Sequence, residues 1–212
     1  MIIVLLGPPG AGKGTQADKL ATRLGLPKIA TGDVLRAALR EGTPKGREAK
    51  AYMDKGDLVP DSVIIGILRD VLSSPGSKKG AILDGAVRTV PQASELGIML
   101  AELGRGVDKV LLFDISDHKL TERLSGRTVC EKCQTPYMGL KPGAKCEKCG
   151  ATVILRKDDE PEAIRNRLKV YRAQTAPVIE WYGEHGMRVH KVDADGSVDE
   201  VTRRAVEALE KK

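Results

Sequence analysis

The sequence predicts an α/β fold: a doubly wound, five-stranded parallel sheet with a phosphate-binding loop (P-loop), interrupted by two insertions. The run IIVLL at residues 2–6 is apolar at every position, which is typical of a strand buried on both faces of a parallel sheet. The glycine-rich stretch GPPGAGKGT at residues 7–15 follows it directly. Further short apolar runs then alternate with helical patterns, as a parallel sheet with crossover helices requires.

The composition is that of an ordinary globular domain. With 212 residues, 41% hydrophobic and 30% charged, the chain can bury a substantial core, and aliphatic side chains must fill it because only 3% are aromatic. No apolar run reaches the roughly 18 residues of a membrane helix. MIIVLL also lacks the basic flank of a signal peptide. We therefore expect a cytoplasmic protein with no membrane partner.

The individual elements follow from local patterns. The predicted strands are residues 2–6, 28–30, 80–83, 109–114 and 188–192. Glu160 and Pro161 suit the first turn of a long helix that runs past Trp181. Ser197 and Glu200 form a capping-box pattern at the start of the last helix.

Two insertions interrupt the alternation of strands and helices. Residues 31–60 are helical and polar in pattern, and residues 128–159 carry all four cysteines. The remaining segments, residues 1–30, 61–127 and 160–212, are expected to form the core domain.

Residues 7–15 combine the features of a phosphate-binding loop. Small residues let successive backbone N–H groups turn towards an anion, the following helix adds the positive end of its dipole, and Lys13 supplies a mobile charge. Gly14 departs from the usual pattern, because the hydroxyl comes one residue later, at Thr15. A simple glycine turn explains the stretch poorly. The residues assigned to phosphate binding are Gly10, Ala11, Gly12, Lys13, Gly14 and Thr15.

The cysteines form two C-x-x-C pairs within residues 130–149. The pairs, Cys130 with Cys133 and Cys146 with Cys149, are separated by 12 residues, close to the spacing of four-thiolate zinc sites. The alternative is two disulfides, which a reducing compartment disfavours. The sequence therefore predicts a structural zinc ion.

Positive charge is concentrated around the same cysteines. The formal net charge is +6, and between residues 119 and 157 nine Lys or Arg face three Glu, a difference equal to the whole excess. This concentration fits a polyanionic partner. It does not by itself distinguish DNA, RNA and a nucleotide.

Four further segments decide the question by resemblance. TGDVLR at 31–36, GDLVPD at 56–61, LDGAVR at 83–88 with Gln92, and RKDDEPEAIRNRL at 156–168 resemble segments of the nucleoside monophosphate kinases, adenylate kinases in particular, in the same order. Long members of this family carry a lid, which in many bacteria holds a four-cysteine zinc site. The resemblance implies that residues 31–60 are the monophosphate-binding insertion and residues 128–159 a zinc lid.

The resemblance also implies ligand-binding roles. On the AMP side these fall on Thr31, Arg36, Asp57, Leu58, Val59, Gly85, Arg88, Gln92, Arg156 and Arg167. ATP would be bound by the phosphate loop with Arg127, and by Arg123 beside the adenine. Phosphoryl transfer needs positioning and charge neutralisation rather than a catalytic base. We therefore count Lys13, Arg88, Arg127, Arg156 and Arg167 as catalytic.

Four aspartates are candidates for a functional role or for a cap. Asp84, counted as catalytic, ends an apolar strand and is placed to hold Mg²⁺ through water, near the Thr15 hydroxyl, although a turn cap is the alternative. Asp158 and Asp159, also counted as catalytic, help to orient lid arginines in the family, while an N-cap role for one of them is equally compatible. Asp33 is compatible with a helix cap.

The sequence departs from the family at two places. The segment between the C-x-x-C pairs is shorter than in other zinc lids. The aspartate–glycine turn usually continues with Phe and Pro, whereas here Ala86 and Val87 precede Arg88. Either AMP has lost an aromatic neighbour, or aliphatic residues such as Val59 or Ile64 fill the space.

The sequence as a whole predicts the reaction MgATP + AMP ⇌ 2 ADP by direct in-line transfer, with Mg²⁺ and structural Zn²⁺ as cofactors. The expected partners are ATP, AMP and ADP, with no nucleic acid, and the expected state is a monomer. A kinase for GMP, UMP or CMP is the alternative within the family. A zinc-ribbon P-loop protein that binds nucleic acid is the remote alternative, and it would bind with a steep salt dependence.

Overall fold

The computed structural model of the chain describes residues 1–211. Its strands are β1 (Ile2–Leu6), β2 (Lys28–Ala30), β3 (Ala81–Asp84), β4 (Lys109–Asp114), β5 (Arg127–Cys130), β6 (Pro136–Met138), β7 (Val153–Ile154) and β8 (Val189–Asp193). Its α-helices are α1 (Lys13–Leu24), α2 (Thr31–Arg40), α3 (Pro44–Lys55), α4 (Asp61–Leu72), α5 (Val90–Glu102), α6 (Asp117–Ser125), α7 (Pro161–Val170), α8 (Pro177–Glu184) and α9 (Val198–Glu210).

Five strands form one parallel sheet in the order β2-β3-β1-β4-β8. These are the five predicted strands, each within one residue of its predicted bounds, so the predicted fold class is confirmed. The chain leaves β1 towards one side of the sheet and later returns to the other, which makes the carboxyl end of β1 a topological switch point. Ligands of open α/β sheets bind at such a point.

The core lies on both faces of this sheet. Side chains of β1 alternate: Ile2, Val4 and Leu6 pack with α4, α5 and α8, whereas Ile3 and Leu5 pack with α1, α6 and α9. All five are at most 2% exposed. Burial on both faces explains why the run is apolar at every position.

The helix ends follow their sequence signals with one exception. Ser197 and Glu200 form the predicted capping box of α9, and Pro161 is the first residue of α7. The long helix predicted from Pro161 is instead interrupted, because residues Tyr171–Thr175 form a π-helical turn between α7 and α8. Pro177, which opens α8, has no N–H to continue the regular pattern of hydrogen bonds.

The two insertions have different architectures. Residues 31–60 contain α2 and α3, which pack against each other. The cysteine segment forms a separate antiparallel sheet in the order β6-β5-β7. Among the described residues, none of the helices combines the length and the apolar character that a bilayer crossing requires.

Candidate active site

One large cleft of about 1240 Å³ opens at the carboxyl edge of the parallel sheet. Its walls come from the loop after β1, from α2, from the loop after β3, from the cysteine segment and from α7 with the π-helical turn. Parts of the chain far apart in sequence thus share a single cavity. Most of the predicted site residues line it.

The phosphate loop is folded as its glycines predict. Gly7, Gly10 and Gly12 have φ of 135°, 88° and 86°, values that residues with a Cβ rarely adopt. Gly12 precedes α1, so the loop leads directly into the N-terminus of a helix. The Lys13 ammonium donates to the carbonyl oxygens of Gly7 at 2.7 Å and Pro8 at 2.8 Å, and is thereby held over the loop.

Lys13 is buried in surroundings that disfavour its charge. Burial lowers the pKa of Lys13 to about 8; the Asp84 carboxylate opposes this shift, while Arg88, Arg167 and Arg127 add to it. The ammonium therefore lacks sufficient negative charge nearby. A bound phosphate would supply it.

The unusual Gly14 is explained by Asp84. A Cβ added at Gly14 would lie 3.2 Å from the Asp84 carboxylate, closer than most real contacts of a Cβ. Burial raises the pKa of Asp84, although Lys13 and Lys28 counteract part of the shift. The residue after Lys13 is thus small because a carboxylate occupies the space beside it, and Thr15 follows in the first turn of α1.

Arg88 is held through its backbone as well as its side chain. Its N–H donates to Gln92 Oε1 at 2.7 Å, and its Nε donates to the Gly85 carbonyl oxygen at 2.9 Å. Gln92 is 1% exposed, and its Nε2 donates to Asp61 Oδ1 at 2.6 Å. Burial lowers the pKa of Arg88 to about 10, and Arg167 contributes further.

Arg36 and Arg156 present buried N–H groups to the cleft. The Nε atoms of both have no hydrogen-bond partner among the described residues. Burial, followed by the charges of Arg36 and Arg127, lowers the pKa of Arg156 to about 10. Arg36 pairs with Asp33 one turn earlier in α2; Asp33 is therefore not the helix cap that the sequence allowed. Buried guanidinium N–H groups that lack a partner are suited to an anion.

Asp159 joins two arginines at the exit of the cysteine segment. Its fully buried carboxylate accepts from Arg127 Nε and Nη2 at 2.7 and 2.5 Å, and from Arg167 Nη1 at 2.7 Å. Burial opposes the charge of Arg127, but these bonds outweigh it and raise its pKa. Asp158 lies 3.3 Å from Arg167. Neither aspartate caps α7, whose N-cap is Glu160, so the N-cap alternative is excluded.

Arg123 lies beside the phosphate loop, on the side of the cleft that residues 194–198 line. Its Nη2 donates to the Ala194 carbonyl oxygen at 3.1 Å, and its Nη1 would lie 3.9 Å from a Cβ at Gly12. Further lining on this side comes from residues 194–198. Across the cleft the predicted monophosphate residues Asp57, Leu58 and Val59 line the wall, and the Thr31 hydroxyl donates to the Gly85 carbonyl oxygen at 3.0 Å.

The four cysteines come together outside the sheet core. Their sulfur atoms all lie within 4.8 Å of one another, with separations of 3.4 Å for Cys130–Cys149 and 3.5 Å for Cys133–Cys146, and none is in a disulfide. Four thiolates around zinc, with Zn–S bonds of about 2.3 Å, place the sulfurs about 3.8 Å apart. The donor set and its dimensions therefore fit zinc.

The surroundings of Ala86 and Val87 match the aliphatic alternative that the sequence left open. Ala86 is fully buried and does not line the cleft, whereas Val87, 2% exposed, does. Both belong to the same apolar cluster as Val59 and Ile64. Ala86 thus belongs to an aliphatic cluster behind the lining of the cleft.

Three residues of the site were missed from the sequence. Lys28 donates to the Gly14 carbonyl oxygen at 3.2 Å and to Asp18 Oδ1 at 3.0 Å, beside the phosphate loop. Asp61 orients Gln92, and Thr175 lines the cleft from the π-helical turn. A lysine opening an otherwise apolar strand was a visible signal, whereas the roles of Asp61 and Thr175 depend on contacts distant in sequence.

Comparisons with known proteins agree with this geometry. A family model described as adenylate kinase matches residues 5–187. A protein named adenylate kinase from Gemmatimonas aurantiaca is 61% identical over 99% of both chains. Proteins of the same name from Thermodesulfovibrio yellowstonii and Methanosarcina barkeri are 48% and 46% identical; the first match covers all of both chains, the second all of this chain and 99% of its relative.

We expect Ala86→Phe to lower the free energy of unfolding by about 1–3 kcal/mol, because the ring must overpack a filled cluster. The KM for AMP should stay unchanged, since the position does not face the cleft. Thermal melts and AMP titrations on the same variant check both. Ala101→Phe, at an exposed position of α5, is the control and should change stability by less than about 0.5 kcal/mol. A several-fold lower KM for AMP would contradict the packed wall.

Lys13 should take up a proton when a nucleotide binds at alkaline pH. Its pKa in the free protein is about 8, and bound phosphates raise it, so affinity should fall as pH rises above that value. Calorimetry at about pH 8.5 in buffers of different ionisation enthalpy measures the uptake. Lys13→Arg keeps its charge at this pH and should therefore abolish the part of the proton uptake that comes from residue 13. Identical uptake in both proteins would assign the proton elsewhere.

Proposed function

This chain belongs to the adenylate kinase family, and from that premise we propose how its residues carry out MgATP + AMP ⇌ 2 ADP. The observation that supports the proposal is the crowding of buried cations in one cleft. Lys13, Arg88 and Arg156 all have lowered pKa values there, and the Nε atoms of Arg36 and Arg156 lack partners among the described residues. Two nucleotides bring several phosphates, which would neutralise this excess.

ATP would occupy the side formed by the phosphate loop. Backbone N–H groups of residues 10–15 and the N-terminus of α1 would bind its phosphates, with Lys13 released from the Gly7 and Pro8 carbonyls to meet them. Arg123, beside Ala194, would flank the adenine. Arg127 would reach the same phosphates from the start of β5.

AMP would occupy the opposite side. Arg36 and Arg88 would clamp its phosphate, since guanidinium groups bind phosphate oxygens in a bidentate manner. Thr31, Gly85, Gln92 and residues 57–59 would surround the nucleoside. Because Asp61 accepts from Gln92 Nε2 and the Arg88 N–H donates to Gln92 Oε1, the orientation of this amide is fixed before any ligand arrives.

The transferred group would pass between these two sides. Arg156 and Arg167 would bind it together with Arg127, and Asp158 and Asp159 would keep the arginines in position through the ion pairs described above. The AMP phosphate oxygen attacks the terminal phosphorus of ATP, and ADP leaves with the bond electrons. No side chain has to act as a base, because the attacking oxygen carries no proton that must be removed.

The residues beside the phosphate loop fit a magnesium ion that accompanies ATP. The Asp84 carboxylate, buried next to Lys13 and Gly14, and the Thr15 hydroxyl are oxygen ligands of the type that Mg²⁺ prefers. When bound, the ion neutralises phosphate charge during transfer. The carboxylate has the further role of balancing Lys13.

The chain would work as a core with two movable insertions. We assign residues 1–30, 61–127 and 160–212 to the core, residues 31–60 to the monophosphate-binding insertion and residues 128–159 to the lid, whose thiolates would hold one structural zinc.

All proposed ligands of both nucleotides come from one chain, which supports a monomer. The free thiols that the metal needs support a reducing, cytoplasmic setting. The arginines assigned to the site line the cleft, which supports nucleotides rather than nucleic acid as partners.

A coupled assay with ATP and each of AMP, GMP, CMP and UMP tests the function most directly. AMP should be phosphorylated with the highest kcat/KM by a wide margin. Preference for another monophosphate would leave the reaction class but reject the assignment of AMP. No turnover with any of them, together with tight nucleic-acid binding, would reject both.

Arg88→Ala should lower kcat at saturating AMP about a hundredfold or more, because the guanidinium acts on charge that is redistributed in the transition state. The melting temperature should change little. Steady-state kinetics and a thermal melt check the prediction, with the exposed Arg203→Ala on α9 as the matched control. Near-normal kcat in Arg88→Ala would reject its assigned role.

The purified protein should contain one zinc ion per chain. Cys146→Ser should lower the thermal stability of the lid more than it lowers turnover at moderate temperature, because the site has four protein ligands and no open position. Metal analysis, melting curves and activity on the same samples test this. Protein without stoichiometric metal and with its thiols paired as disulfides would contradict the prediction.

A further inference from the structure

We propose that Thr175 is a positioning residue for Arg88, whose backbone it fixes from the π-helical turn between α7 and α8. The inference rests on the proposed role of Arg88 at the AMP phosphate and adds a residue that the sequence did not indicate. Thr175 does not itself act on the phosphates. Its effect is transmitted through the backbone of the arginine.

The contact is short, buried and distant in sequence. Thr175 Oγ1 donates to the Arg88 carbonyl oxygen at 2.8 Å, and Thr175 is 7% exposed. In a regular helix a threonine hydroxyl usually bonds to the carbonyl four residues earlier on its own helix. Here it leaves the helix and reaches the loop after β3. The hydroxyl is therefore committed to the site and not to its own helix.

The π-helical turn makes this contact possible. Residues Tyr171–Thr175 are wound more widely than an α-helix, and the Ala176 N–H donates to the Tyr171 carbonyl oxygen, five residues back, at 2.8 Å. Pro177 cannot donate to the carbonyl of Ala173, and its ring disfavours a tight turn at that point. Isolated π-helical turns inside α-helices are frequently found at functional sites. In this chain the turn lies on the wall of the cleft.

The bond completes a set of restraints on Arg88. Gln92 Oε1 accepts from the N–H of Arg88 on one side of its Cα, and Thr175 donates to its carbonyl on the other. The side chain donates from Nε to the Gly85 carbonyl oxygen. Both backbone groups of the residue are thereby fixed.

These restraints matter because Arg88 is surrounded by charge of its own sign. Arg167 and Arg36 repel it, whereas Asp84 and Asp158 attract it. In the empty cleft this repulsion favours displacement of the guanidinium. A backbone fixed at both ends keeps the group where the phosphate arrives, so less of the binding energy is needed to order it.

Thr175→Val, which replaces the hydroxyl by a methyl group of similar size, should raise the KM for AMP roughly two- to tenfold, as the loss of one such hydrogen bond implies. The KM for ATP should stay unchanged, and Thr175→Ser should restore the AMP value. If Thr175→Val does not fold, Thr175→Ala removes the same hydroxyl without a new methyl group. Calorimetric AMP affinity provides a readout independent of turnover.

Thr128→Val is the matched control. Thr128 is 4% exposed, and its hydroxyl donates to the Leu140 carbonyl oxygen at 2.8 Å, but this bond lies within the lid. Thr128→Val should lower the melting temperature about as much as Thr175→Val does, and it should leave the KM for AMP unchanged. It separates loss of a buried hydroxyl from loss of the Arg88 contact.

A double-mutant cycle with Arg88→Ala decides whether the effect passes through Arg88. The effect of Thr175→Val on AMP affinity should disappear in the Arg88→Ala background. The same effect in both backgrounds, or an unchanged KM for AMP in both Thr175→Val and Thr175→Ala, would overturn the positioning role while leaving the proposed function intact. Normal kinetics of Arg88→Ala alone would overturn the proposed role of Arg88 and, with it, the role of Thr175.

Discussion

The site depends on the burial of many like charges in one cleft. Lys13, Arg88 and Arg156 each lie where burial and neighbouring cations disfavour their charge, and the carboxylates of Asp84, Asp158 and Asp159 balance only part of it. Buried charge without full compensation destabilises a protein. The same deficit stabilises a bound polyanion, because the cations are already dehydrated and aimed at one place. The fold therefore retains an unfavourable arrangement that becomes favourable when phosphates enter.

The fold limits the free-energy cost of burying like charges, because the cations lie on different secondary-structure elements. Lys13 stands on α1, Arg88 in the loop after β3, and Arg36, Arg127 and Arg167 on α2, β5 and α7. Asp159, whose carboxylate is fully buried, connects β5 to α7 because it accepts from both Arg127 and Arg167. Truncating one partner of such a buried network leaves the others uncompensated, at a cost of several kcal/mol. The aspartate is thus as important for keeping the cleft ordered as the arginines are for binding.

The sequence predicted the sheet closely because the central strands β1, β3 and β4 are buried on both faces, which leaves nearly unbroken apolar runs. It predicted the phosphate loop because glycines with positive φ have few alternatives. It did not predict the π-helical turn: Pro177 indicates a disturbed helix but not the direction in which Thr175 will point. It gave the aliphatic surroundings of Ala86 only as one of two alternatives, because packing with Val59 and Ile64 depends on side chains distant in sequence. Local patterns thus gave the elements, and long-range contacts gave the orientation of the site.

The cysteine segment shows how a small sheet can position charged side chains. Its buried apolar residues are Val129, Cys130, Cys146 and Val153, too few for a core that would be stable alone. A metal held by four thiolates would supply the missing stability. Arg127 opens β5, Arg156 lies two residues after β7, and the two strands pair through Val129–Ile154 and Cys130–Val153. This pairing fixes the strands beside Arg127 and Arg156 relative to each other, and both arginines line the cleft.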